Sequence, residues 1–142
     1  MIELIRHSVK LNYNNRLNHL NDCMNRPDLI TKTQHAREFK TIHINVGRRS
    51  GKTTAIESLA RPTDLMIVHN YHTMKVLNGR NNFICPINTV SGVVLASNGL
   101  KGKIIKKYDW VWIDEPSLCD DAVDINEIYK TIDADLFILL GE

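Results

Sequence analysis

The 142-residue sequence predicts an α/β fold, with a mostly parallel β-sheet flanked by helices and preceded by an N-terminal helical extension. Segments with the apolar pattern of strands alternate with segments that carry the three-to-four spacing of helices. Two strand-like segments end in groups of polar residues, at 47–54 and at 114–115. Because ligands bind at the carboxyl ends of parallel strands, these two groups are the first candidates for a functional site.

Composition indicates one globular domain of ordinary kind. Hydrophobic residues make up 43% and charged residues 24% of the chain, which is long enough for a single core. No apolar run has the length of a membrane span and none resembles a signal peptide, so we expect a cytoplasmic protein with no membrane partner. The odd number of cysteines (Cys23, Cys85 and Cys119) suits neither a disulfide framework nor a zinc site.

The N-terminal third predicts helices followed by the first core strand. Apolar residues from Ile2 to Met24 recur near a helical spacing, although Asn14-Asn15 could divide this helix into two. A turn is expected over 25–28 and a short helix over 34–39. We interpret residues 1–32 as the helical extension and residues 33–142 as the core domain.

The segment 41–54 predicts a strand that leads into a phosphate-binding loop. Residues 42, 44 and 46 alternate as apolar positions, and Gly51-Lys52-Thr53 then begins a helix that extends to about residue 60. In this interpretation Gly51 lets the backbone approach a phosphate, Lys52 bridges the β- and γ-phosphates, and the Thr53 hydroxyl binds Mg²⁺. The predicted nucleotide-binding residues are Gly47, Arg48, Arg49, Ser50, Gly51, Lys52, Thr53 and Thr54. One departure from the usual G-x-x-x-x-G-K-[ST] spacing is Val46 in the first glycine position, and the alternative is a Gly-Lys-Thr that occurs by chance in a surface turn.

A second motif follows the apolar run 110–113, which ends in Asp114 and Glu115. A strand here would deliver both acids to the ligand-binding edge of the sheet. Asp114 would then hold Mg²⁺ through water, as a Walker B aspartate does, and Glu115 would act as the general base toward the attacking water. The alternative is a solvated Asp-Glu turn. The two motifs together predict that the chain binds ATP with Mg²⁺ and hydrolyses it.

The remaining elements complete the alternation of strands and helices. We expect strands over 64–69, 82–87 and 134–140, and helices over 72–77 (closed by Asn78-Gly79) and 118–131. His43 is expected to be structural, whereas His69 and His72 flank a strand end close to the ligand-binding edge.

The distribution of charge suggests nucleic acid as a partner. Residues 1–108 contain 17 Lys or Arg against 6 Asp or Glu, and residues 109–142 contain one Lys against 10 acids. A basic body could contact a phosphate backbone, with the lysines of 101–107 as candidates. The alternative is that several of the acids are catalytic or lie on a solvated helix, that some basic residues face phosphate, and that the lysines of 101–107 lie in a solvated loop.

A glutamate directly after the Walker B aspartate favours one branch of the P-loop proteins. Motor ATPases need a water-activating Glu, and they have an additional strand between the phosphate-loop strand and the Walker B strand. The distance between the two motifs here leaves room for one or two strands. A nucleoside kinase is disfavoured, because no Arg-rich lid segment follows residue 115.

The loop Gly47–Thr53 resembles the Walker A motif of the large terminase subunit of tailed phages, the DNA-packaging motor. The resemblance implies a RecA-like P-loop fold and an oligomeric viral ATPase that acts on double-stranded DNA in the host cytoplasm. It also implies that Arg48 acts in cis on the γ-phosphate, and arginine is absent from residue 81 onward. Residues 33–39 resemble the glutamine motif, in which Gln34 would bind the adenine edge. Residues 139–142 resemble the coupling motif, with Glu142 in the relay position.

Two alternatives remain beside the terminase type. One is a superfamily 1 helicase-like ATPase, which shares the site chemistry. The other is a nucleotide-binding module that regulates or scaffolds a viral complex and turns over little. The further domains of a terminase or helicase do not fit after residue 142, so we expect either the front part of a longer motor or a small unit whose site a partner completes.

Overall fold

A computed structural model describes the backbone of residues 1–24, 32–45, 47, 51–80, 82–93, 107–118 and 126–141, and side chains for these except 16–24, 32–34 and 126. Five strands lie in this described part: β1 (Thr41–Ile44), β2 (Leu65–Val68), β3 (Ile87–Thr89), β4 (Lys107–Asp114) and β5 (Asp133–Leu140). The helices described are α1 (Ile2–Met24), α2 (Lys32–Phe39), α3 (Lys52–Leu59), α4 (Tyr71–Arg80) and α5 (Asn126–Thr131), with a 3₁₀ turn over Pro116–Leu118. Residues 90–93 are also helical.

All five strands are parallel and form one sheet in the order β1-β5-β4-β2-β3. The prediction of an α/β fold with a mostly parallel sheet flanked by helices is therefore confirmed. Because the strands are parallel, their carboxyl ends lie at one edge, where Ile44 pairs with Leu140 and Leu140 pairs with Asp114. This edge brings the end of β1 and the end of β4 close to each other, with β5 between them.

The sheet has a core on each face, because its inner strands alternate between two sets of apolar side chains. Trp112 contributes to one cluster, together with residues of α1, α3 and α4. Val111 and Ile113 contribute to the other, together with residues of α2 and α5. A strand that is covered on both faces is apolar along its whole length, which accounts for the continuous apolar run at 110–113.

The middle of β4 is anchored by Asp64, a fully buried carboxylate just before β2. Its oxygens accept hydrogen bonds from the backbone N–H of Arg61 at 2.9 Å and of Trp110 at 3.1 Å, and from Trp112 Nε1 at 3.2 Å. The Arg61 guanidinium adds an ion pair at 3.3 Å and lies over the Trp110 ring. Buried carboxylates need such partners, and these contacts fix β4 against β2.

Several predicted elements differ from those observed. The strand predicted over 82–87 is wrong, because β3 begins only at Ile87; Pro86 has no N–H for the ladder, and its carbonyl accepts the N–H of Met66 at 3.0 Å. The helix predicted over 72–77 continues through Asn78-Gly79 to Arg80, since burial of Leu77 outweighs the weak helix propensity of glycine. Helix α1 is one helix and is not divided at Asn14-Asn15.

The placement of the additional strand also needs correction. The residues between the two motifs do contain strands, but β2 and β3 lie on the far side of β4. The strand between β1 and β4 is β5, which comes after both motifs in the chain. Of the helix predicted over 118–131, the structure describes the 3₁₀ turn that includes Leu118 and helix α5; residues 119–125 lie outside the described part, as does the turn at 25–28.

None of the helices in the described part is both long enough and apolar enough to cross a membrane.

Candidate functional site

The first part of the site is the beginning of α3. Gly51 has φ 81° and ψ 22°, the left-handed region that favours glycine, and its carbonyl accepts the N–H of Ala55 at 2.8 Å. Among the described residues, no side chain caps the helix with a hydrogen bond. The N–H groups of its first turn therefore combine with the positive end of the helix dipole, an arrangement suited to binding a phosphate.

The predicted loop residues fall into two groups. Gly47, Gly51, Lys52, Thr53 and Thr54 lie in the described part, and Thr54 is exposed in the first turn of α3. Arg48, Arg49 and Ser50 lie outside it, as do the side chain of Gln34 and all of Glu142. The roles assigned to this second group stay predictions.

Lys52 is buried and lies against the second motif. Its ammonium forms an ion pair with Glu115 Oε1, and it also donates to the carbonyl of Gly47 at 3.5 Å. The two charged side chains are 8% and 19% exposed, so solvent screens their attraction only weakly. The structure thus brings a loop lysine and a strand-end acid together although they lie 63 positions apart in the sequence.

Asp114 lies beside this pair at the end of β4, and only 8% of it is exposed. The Thr53 hydroxyl donates to its Oδ2 at 3.5 Å, the long end of the hydrogen-bond range. Its other oxygen, Oδ1, is buried and has no hydrogen-bond partner within the described residues. Such an atom needs an explanation in a folded protein, and a bound cation is one.

The pKa of Asp114 is raised above its usual value, mainly by burial and next by the neighbouring charge of Glu115. Lys52, His69 and the hydrogen bond from Thr53 act in the opposite direction. The raised pKa means that the ionised carboxylate is under-compensated where it lies. Positive charge brought to this position would therefore be stabilised.

These donors fit Mg²⁺. A hydroxyl and a carboxylate supply the hard oxygen atoms that Mg²⁺ prefers, and Mg²⁺ commonly takes its other ligands from water and from phosphates of a substrate. Among the described residues no group of three or more His, Cys, Asp or Glu side chains could hold a metal by itself. The side chains of Thr53 and Asp114 thus suit a metal that arrives with a phosphate.

Glu115 has an unusual backbone, with a positive φ of 49°. Its N–H donates to the carbonyl of Leu140 at 2.8 Å, which holds the residue after β4 against the end of β5. Its carboxylate lies against Gly141, whose own φ is 105°. Strained backbone of this kind, costing about 1–3 kcal/mol, persists where surrounding contacts fix it and is concentrated at functional sites.

Three histidines lie near this edge in different settings. His69, which follows β2, has a buried Nδ1 with no hydrogen-bond partner in the described part, while its Nε2 is 3.3 Å from the Thr73 hydroxyl. His43 was expected to be structural; it is exposed, and its Nε2 donates to the carbonyl of Gly141 at 2.7 Å. His72 is exposed on α4. The contact between His43 and Gly141 has no signal in the sequence, because it depends on β1 and β5 being neighbours.

Comparison of the chain with protein-family models, with curated proteins and with solved structures gives no significant match.

Proposed function

We propose that this chain is a RecA-like P-loop ATPase, which binds ATP with Mg²⁺ and hydrolyses it. One observation carries the proposal: the residues at the start of α3 meet the acids at the end of β4, with Thr53 Oγ1 3.5 Å from Asp114 Oδ2 and Lys52 paired with Glu115. Sequence motifs that arose by chance would have no reason to converge on one edge of the sheet.

The strand order supports the same proposal. A single strand, β5, separates the strand before the loop from the strand that carries Asp114 and Glu115. This is the arrangement expected of the additional-strand, catalytic-glutamate branch of P-loop ATPases.

Each side chain has a distinct task in the proposed reaction. Lys52 binds the β- and γ-phosphate oxygens, and the first-turn N–H groups of α3 bind the β-phosphate. Thr53 and Asp114 would hold Mg²⁺, which offsets the negative charge of the phosphates. Glu115 accepts a proton from the attacking water, and its ion pair with Lys52 must open before it can do so.

We further propose that the ATPase belongs to a viral DNA-translocating motor of the terminase type, which acts on double-stranded DNA as an oligomer or larger assembly in the host cytoplasm. This part rests on the sequence of the loop 47–53, with Arg48 acting on the γ-phosphate, and on the basic charge of residues 1–108. A superfamily 1 helicase-like ATPase has the same site chemistry. An assay for ATP-dependent separation of the two DNA strands distinguishes it from a packaging motor.

A second candidate function is a nucleotide-binding regulatory or scaffold module with little turnover. The ion pair between Lys52 and Glu115 favours it, because a carboxylate held by a lysine is not available to a water molecule. The two candidates share a binding site and differ in what happens after the nucleotide binds.

Binding and turnover should be measured separately. We expect the chain to bind a fluorescent ATP analogue in the presence of Mg²⁺ and to lose this binding with EDTA and in Lys52→Ala; the matched control Lys130→Ala, which changes a lysine that is 59% exposed, should bind normally. Phosphate release stimulated by linear double-stranded DNA supports the motor, and binding without release supports the regulatory module. Equal binding by Lys52→Ala and the unmodified chain would remove the site assignment, and phosphate transfer to a nucleoside would show a kinase instead.

A further inference from the structure

We infer that His43, acting through the Gly141 turn, is a positioning residue for the carboxylate of Glu115. The inference rests on the proposed function, in which Glu115 is the general base. It concerns the two residues that hold the base in place, one of which lies on the exposed surface of β1.

Two residues at the end of β1 bind the backbone N–H and the backbone carbonyl of Gly141. The N–H of Gly141 donates to the carbonyl of Ile44 at 2.9 Å, and the carbonyl of Gly141 accepts from His43 Nε2 at 2.7 Å. Since a carbonyl can only accept a hydrogen bond, His43 must carry a hydrogen on Nε2 in this contact. The turn after β5 is therefore fixed from the side of β1 at two points.

The opposite side of Gly141 is occupied by Glu115. A Cβ atom at position 141 would lie 2.7 Å from Cδ of Glu115 and closer still to its Oε2. The Glu115 carboxylate thus fills the space that any side chain at 141 would take. Its backbone is tied to the same turn, because its N–H donates to the carbonyl of Leu140 at 2.8 Å.

These contacts form a short chain from the surface to the base, His43 to Gly141 to Glu115. A general base is effective only when its carboxylate is held within hydrogen-bond reach of the water. If the turn shifts toward β1, the Glu115 carboxylate loses the surface against which it rests. His43 is the side chain whose removal would allow that shift without creating a cavity, because it is exposed.

The first test is His43→Ala, with His43→Gln as the conservative variant and His7→Ala, at an exposed histidine of α1, as the control. We expect kcat to fall about 5-fold, the scale of one lost hydrogen bond, while KM and the affinity for the ATP analogue stay within about two-fold. His43→Gln keeps an N–H donor and should restore much of the loss, and His7→Ala should leave kcat unchanged. In the Glu115→Gln background His43→Ala should have no further effect, whereas a merely structural role would lower turnover in both backgrounds.

The second test is Gly141→Ala, which directs a methyl group into the Glu115 carboxylate. We expect the analogue to bind while turnover falls by about 10² or more, the scale of a lost general base. If circular dichroism shows that this variant is unfolded, the His43 variants alone decide whether the inference holds.

The outcomes separate the inference from the proposed function. Normal turnover in the unmodified chain, with kcat unchanged in His43→Ala, overturns the inference and leaves the ATPase intact. Absence of triphosphate binding in the unmodified chain removes the proposed function and the inference with it. If the chain binds the analogue without turnover, Glu115 does not act as a general base, and the inference is overturned while the binding site stands.

Discussion

Replacing Glu115 by Gln should tighten triphosphate binding while it nearly stops hydrolysis. In the structure the Lys52 ammonium is paired with Glu115, and both groups are largely buried, at 8% and 19% exposure. The phosphates need the same ammonium, so binding must first break this pair. Gln keeps the shape of the side chain and removes the charge that competes with the phosphates.

The magnitude follows from the burial of the pair. Two unit charges 4 Å apart attract each other by about 4 kcal/mol at an effective dielectric constant of about 20. Asp114 lies beside the pair and continues to compensate the ammonium after the substitution, so only part of this energy is gained. We expect about 1–2 kcal/mol, equivalent to about 5–30-fold tighter binding.

The assay is a titration with a fluorescent ATP analogue in Mg²⁺, together with phosphate release under the same conditions. Phosphate release should fall by about 10² or more. Glu127→Gln is the matched control, because Glu127 pairs with Lys130 at 3.2 Å on the surface, where such pairs contribute little. An unchanged affinity in Glu115→Gln would show that the ion pair does not compete with the phosphates, and unchanged phosphate release would show that Glu115 is not the base.

Three further substitutions test the site and its support. Asp114→Asn should abolish Mg²⁺-dependent binding yet raise the melting temperature at pH 7. Burial raises the pKa of this carboxyl, so the stability that the carboxyl contributes is present below its usual pKa and is lost as pH rises through the raised value. At about pH 3 the substitution should therefore raise the melting temperature little. Asp64→Ala should lower the free energy of unfolding, measured in urea, by about 3 kcal/mol or more, since it leaves several buried N–H groups without an acceptor. The control Asp109→Ala loses an exposed hydrogen bond and should lower it by less than about 1 kcal/mol. Equal losses in the two variants would contradict the role given to Asp64. Gly51→Ala should lower the free energy of unfolding by about 1 kcal/mol and weaken analogue binding, because the φ of Gly51 is 81°. Gly79→Ala, in open space within α4, should raise the free energy of unfolding by about 0.4–1 kcal/mol in the same urea titration. A Gly51→Ala variant that is as stable as the unmodified chain and binds the analogue fully would contradict the strained turn.

The parts of the site that could be predicted from the sequence are those set by short spacings. Gly51, Lys52 and Thr53 are consecutive at the start of a helix, and Asp114 and Glu115 directly follow an apolar run. Because parallel strands align their carboxyl ends, this is enough to expect that the two groups meet. The contact between Gly141 and Glu115 could not be predicted in the same way, because it depends on which strand lies beside β4.

The fold shows the same division. Apolar patterns identify β2, β4 and β5 to within a few residues, since each strand contributes apolar side chains to the core on both faces of the sheet. The prediction fails at β3, where Pro86 delays the ladder, and at the end of α4, where the packing of Leu77 carries the helix past Gly79. Strand order is the hardest property to predict, because pairing partners such as Thr41 and Phe137 are far apart in the sequence.

The position of β5 between β1 and β4 determines when this site can form during folding. The strand pairs with β1 on one side and with β4 on the other, so neither motif strand is held at its working distance from the other until residues 133–140 have joined them. Such long-range parallel pairing is slow, because closing large loops costs chain entropy before the strand contacts stabilise the structure. A shorter chain that ends after Glu115 would contain Lys52, Thr53, Asp114 and Glu115 and would still have no arrangement in which they meet.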